Sequence, residues 1–111
     1  MANKIRGEAV AKTESGDWKI VVDMNAIAGF EDATDTSWAL FEGRARAGTS
    51  RISDLRHLCH QALLRHQPTA TLADAGDILS EDMDAFNSAM EAAFPAADES
   101  DGEPGNETPA A

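Results

Sequence analysis

Only one segment of this chain has strong strand chemistry, and that restricts what the rest can build. Trp18-Lys-Ile-Val-Val22 gathers aromatic and β-branched residues in one run. A weaker candidate, Glu8-Ala-Val-Ala-Lys-Thr13, precedes it. Between them Glu14-Ser-Gly-Asp17 is turn chemistry, with Gly16 available for a positive φ. So short a turn predicts an antiparallel pair. A lone hairpin is barely stable in water, so this one must pack on something else. Everything after it reads as helix. The expected fold class is α+β: an N-terminal antiparallel β-hairpin packed on four to five short helices.

The helices announce themselves by caps and periodicity. Asp23 or Asn25 is expected to cap a first helix through Ile27, Phe30 and Ala33. Ser37 caps a second that begins at Trp38 and stops near Gly48. Ser50 to His66 carries the best helical pattern. There Ile52, Leu55, Cys59, Ala62 and Leu63 recur on one face, Leu58 widens it, and Pro68 ends it. Thr71-Leu-Ala-Asp74 resembles a capping box with Asp in place of Glu, opening a short helix through Ile78. Ser80 is expected to cap the last helix, which holds Met83, Phe86, Met90 and Phe94 and stops at Pro95. Phe30, Leu55, Leu58 and Leu63 are the expected core.

Composition shifts after that helix. Residues 95–111 include Asp98, Glu99, Asp101, Glu103 and Glu107, no base, and no apolar residue larger than proline. Such a segment cannot bury enough surface to offset its ordering entropy, so it reads as a disordered acidic tail. The domain reading is a single α+β unit over 1–94 followed by the tail over 95–111. The whole chain has 9 Lys+Arg against 20 Asp+Glu, a net charge of −11. That balance argues against a nucleic-acid partner, whose phosphates would be repelled. No apolar run approaches the ~18–20 residues of a membrane span. The opening residues Met1–Gly7 lack the apolar stretch of a secretory signal. A single cysteine, Cys59, forbids an intrachain disulfide, and a reducing cytoplasm is expected.

Candidate chemistry is sparse. His57, Cys59, His60 and His66 lie close in sequence, but structural zinc draws ligands from at least two elements and no second His or Cys element exists. No metal and no cofactor are expected. The acids Glu31-Asp32, Asp74/Asp77 and Glu81-Asp82-Asp84 lack calcium-loop spacing and sit where helix starts favour negative charge. Asn106-Glu-Thr108 matches a glycosylation sequon by pattern alone. There is no phosphate loop, nucleophile elbow or His-Glu-x-x-His, so nothing points to an enzyme. Arg44, Arg46, Arg51 and Arg56 are the only basic concentration, readable as a solvated cluster or as a surface for an acidic partner or for the chain's own acidic tail. The candidate partner-binding residues are Met83, Phe86, Met90 and Phe94. Methionine adapts to varied partners, and a client-binding stripe would leave Phe86 and Met90 partly exposed. The plainer reading is that this stripe closes the core.

The order of several segments carries a resemblance. It starts with Ala2-Asn3, Arg6-Gly7-Glu8 and the hairpin end Ile20-Val-Val22. It continues through Asn25-Ala26-Ile27, Phe30-Glu31 and Ser53-Asp-Leu-Arg-His-Leu58. Ala62-Leu63, His66, Pro68, Thr71 and Asp74-Ala75-Gly76 complete it. Over residues 2–80 or so the chain resembles the small tail assembly chaperone family of gene transfer agents and siphovirus-like prophages of alphaproteobacteria, also labelled as a tail tube protein. The segment around Cys59-His60, where bulkier apolar residues fit that pattern, and the tail after residue 95 depart from it. The resemblance implies a non-catalytic helper that binds tape-measure protein and tail tube subunits in the host bacterial cytoplasm, and it implies no catalytic residue. A structural component of the particle is the alternative, and a homo-oligomer is left open. With two strand candidates, the sequence favours the helper over a tube subunit.

Overall fold

The computed structural model describes residues 6–94. The tail expected at 95–111 lies outside the described residues. β1 (Arg6–Thr13) and β2 (Gly16–Asp23) form a two-stranded antiparallel sheet. Five helices follow: α1 (Met24–Thr34), α2 (Trp38–Ala47), α3 (Ile52–Leu63), α4 (Leu72–Glu81) and α5 (Met83–Ala93). This is the α+β arrangement expected from the sequence, with the hairpin packed on the helices.

The hairpin register explains how the helices seat. Thr13 pairs with Gly16, so the turn is two residues, Glu14-Ser15, and shorter than its composition suggests. Gly16 has φ +129°, a value that favours glycine. Trp18 Nε1 donates to Thr13 Oγ1 at 3.0 Å and fastens the turn. Inward positions on β1 are small, namely Gly7, Ala9 and Ala11, and they pair with the larger Val22, Ile20 and Trp18 of β2. Small residues on one strand let a helix approach closely. α5 fills that space with its own small residues, Ala85, Ala89 and Ala93, all buried. Phe30, Leu58, Leu63, Ile78 and Phe86 complete the centre of the core.

Side chains close part of the sheet's open edges. Residues of the non-hydrogen-bonded pairs aim their main-chain groups away from the sheet. At Lys19 the Gln67 amide accepts from the N–H at 2.7 Å and donates to the carbonyl at 3.0 Å, as a third strand would. On β1 the Lys12 N–H donates to Asp82 Oδ2, and in the turn the Glu14 N–H donates to Glu81 Oε1, both at 2.9 Å. Unpaired edges invite aggregation, and these clips remove part of that hazard. Gln67→Ala is expected to lower stability by about 1 kcal/mol, since its bonds are mostly solvent-exposed. In a domain of this size that is a drop of ~4–8 °C in the thermal midpoint, readable by circular dichroism.

Caps set the helix boundaries. Asp23 Oδ1 accepts from Ala26 N–H at 3.0 Å, and its other oxygen accepts from Arg65 at 3.1 Å, tying the start of α1 to the end of α3. Ser37 caps α2, and Gly48 closes it with φ +75°. Thr71 and Asp74 form the capping box of α4. Four expectations need correction. α4 continues past Ile78 to Glu81, and Asp82, not Ser80, caps α5. The helix expected over Ser50–His66 is shorter, because Arg51 provides no side-chain cap and the chain leaves helix after Leu63. Its face is also rotated. Ile52 is 68% exposed and Leu55 only half-buried, while Leu58, Cys59, Ala62 and Leu63 are fully buried.

Candidate functional site

The four candidate partner-binding residues do not form one strip. Phe86 is 1% exposed and belongs to the core, so it offers no surface in this structure. Met83 borders a shallow groove with Ile52, Arg56, Gly76 and Leu79. Met90 and Phe94 border a different groove, between α5 and α2. Helical geometry gives the reason. At 3.6 residues per turn the Met83/Phe86/Met90/Phe94 row is offset by roughly 90° from the Ala85/Ala89/Ala93 row. The alanines take the inward face against β1, Phe86 lies where the rows overlap, and the remaining three stay at the margins.

An open, mainly apolar groove lies between α2 and α5. Its volume is about 270 Å3, and its lining includes Trp38, Phe41, Met90 and Phe94. Trp38 stacks on Phe41 with centroids 5.0 Å apart and on Phe94 at 5.3 Å. Phe30 meets Phe41 edge-on from below at 5.1 Å. Phe41 and Phe30 are buried, whereas Trp38, Met90 and Phe94 are only partly covered. Ala45 and Arg46 on α2 and Glu91 on α5 are exposed around them, beside the half-exposed Glu42. Met90 and Phe94, two of the four expected partner-binding residues, line this groove. Periodicity gave no sign of the α2 wall, because Trp38 and Phe41 look like ordinary helix-start residues until Phe94 is seen stacking on them.

α2 is held by side chains more than by close backbone packing. The Trp38 N–H donates to Glu31 Oε2 at 2.7 Å, fixing its start on α1. Arg44 reaches Asp54 Oδ2 at 3.3 Å, and Asp54 is 4% exposed. Arg44 therefore compensates a buried carboxylate, while Arg46, Arg51 and Arg56 make no ion pair among the described residues. The acids considered earlier divide similarly. Asp74 and Asp82 cap helices, Glu31 accepts the Trp38 N–H at the start of α2, and Glu81 clips the hairpin.

The His/Cys group also has structural explanations. His60 Nε2 lies 2.8 Å from the Ala70 carbonyl and donates to it. Cys59 is fully buried, and burial pushes its thiol up to about 12. Among the described residues no three His, Cys, Asp or Glu side chains gather as metal ligands. No helix among them is long and apolar enough to cross a membrane. Cys59 is expected to resist a thiol reagent at pH 8 in the native protein and to react fully in denaturant, which a colorimetric thiol assay reads directly. An unfolded thiol ionises near 9.0 and the folded one near 12, so the unfolded state loses its proton first. Stability is therefore expected to fall as pH rises through that window.

Compared with protein-family models, with curated proteins and with solved structures, the chain has no match.

Proposed function

We propose that this protein is a non-catalytic tail assembly chaperone, which binds a tape-measure protein and tail tube subunits while a phage-type tail assembles in the host bacterial cytoplasm. The observation that carries this reading is the open α2–α5 groove. A small acidic domain leaves Trp38, Met90 and Phe94 partly uncovered around one apolar hollow. The hollow is small, and it offers a partner an apolar seat bordered by charged residues. The resemblance over residues 2–80 names the class of partner. The net charge of −11 suits a helper that must remain dispersed before it meets a client.

Co-expression tests the reading. A tape-measure protein made together with this chain is expected to gain soluble yield several-fold over the same protein made alone. An unchanged yield would contradict the chaperone role. Mass spectrometry of finished particles is expected to find the chain absent. Stoichiometric retention would instead indicate a structural subunit.

A further inference from the structure

The α2–α5 groove has a chemistry of its own. Its floor is aromatic and apolar, and acids stand on both walls, Glu42 on α2 and Glu91 on α5. Arg46 is the one base among its lining residues. The chain as a whole is strongly acidic, with 20 Asp+Glu against 9 Lys+Arg. We infer that this groove receives a basic amphipathic helix, with an apolar stripe flanked on both sides by Lys or Arg. The inference rests on the chaperone reading and specifies the client's binding segment.

Three features support a helix with basic flanks. Both walls are helices, whose main-chain groups are already bonded internally, so an extended strand finds no edge to pair with. A helix instead sets side chains at 3–4 spacing between the walls. The acids on opposite walls are placed to meet cations on either side of such a stripe, which steers encounter and selects orientation. A second copy of this chain is the poorer occupant. A two-fold contact through this groove would set two acids and one base against the same set of the other copy, leaving one acid of each copy without a cation.

The test uses full-length protein carrying Trp18→Phe, so that Trp38 is the only indole reporter. The probe is a synthetic Leu/Lys helix of about 18 residues, five turns, with leucine on one face, compared with its Leu/Glu counterpart. The Leu/Lys helix is expected to change Trp38 emission saturably, and to bind at least ~10-fold tighter than the Leu/Glu one. Ala45→Arg places a bulky cation on an exposed lining position that tolerates a good helix former. It is expected to weaken the Leu/Lys helix at least ~10-fold with an unchanged circular dichroism spectrum and thermal midpoint. Glu42→Lys with Glu91→Lys is expected to invert the preference. Equal binding of the two peptides, or an unaffected Ala45→Arg protein, would overturn the inference. Loss of peptide binding by Ala45→Arg with full client solubilisation would also overturn it, and would leave the chaperone reading intact. Binding and inversion as expected, without any gain in client yield from the parent protein, would uphold the groove's chemistry and contradict the chaperone reading.

Discussion

Gly7→Ala is expected to be among the most damaging single-methyl changes this protein can take. An ideal Cβ at Gly7 would overlap the Ala89 carbonyl oxygen and stand 2.6 Å from the Ala93 nitrogen. Both obstacles are backbone, so neither can rotate aside, and α5 would have to lift off β1. Overpacking typically costs ~1–3 kcal/mol where neighbours can adjust, and the cost here is expected at or above the top of that range. A small domain has only ~5–15 kcal/mol of stability in all. Gly43→Ala is the control. Nothing stands within 4 Å of its added methyl, and it lies inside exposed α2. It is expected to stabilise by ~0.5–1 kcal/mol. Urea titrations of the two variants should therefore move in opposite directions. Parallel shifts would mean that α5 does not sit on β1 as described.

Phe86→Ala is the second large effect. Its ring is 1% exposed, and truncating a buried phenylalanine costs ~3–5 kcal/mol. Met90, four residues further along the same row, is only partly covered. Met90→Ala is expected to cost about 1 kcal/mol, because less apolar area leaves water there on folding. The pair separates the two roles within one stripe by a single denaturation experiment. Equal losses would place Met90 in the core and close the groove.

The sequence exposed the elements better than the orientation of their faces. The hairpin was legible because Trp18–Val22 concentrates strand formers beside a turn. Ser37, Gly48 and the Thr71/Asp74 box were legible because capping chemistry is local. The azimuth of α5 was not. Alanine contributes little to an apolar pattern, so Ala85, Ala89 and Ala93 gave weak signal beside two methionines and two phenylalanines. Yet their small size is what lets α5 seat against Gly7, a contact that exists only after both partners fold. α3 misled for a related reason. Ile52 fits the repeat but occupies the first helical residue, where no neighbouring element covers it. Ser80 lies inside α4, so Asp82 caps α5 instead, and it also receives the Lys12 N–H, a tertiary bond that no local pattern encodes.

The most direct measurement is hydrogen exchange of this protein alone and in complex with a tape-measure client. The account predicts that binding slows exchange in α2 (Trp38–Ala47) and in the last turns of α5, with β1 and β2 unchanged. Protection confined to the hairpin or to α4, with α2 exchanging as in the free protein, would contradict it.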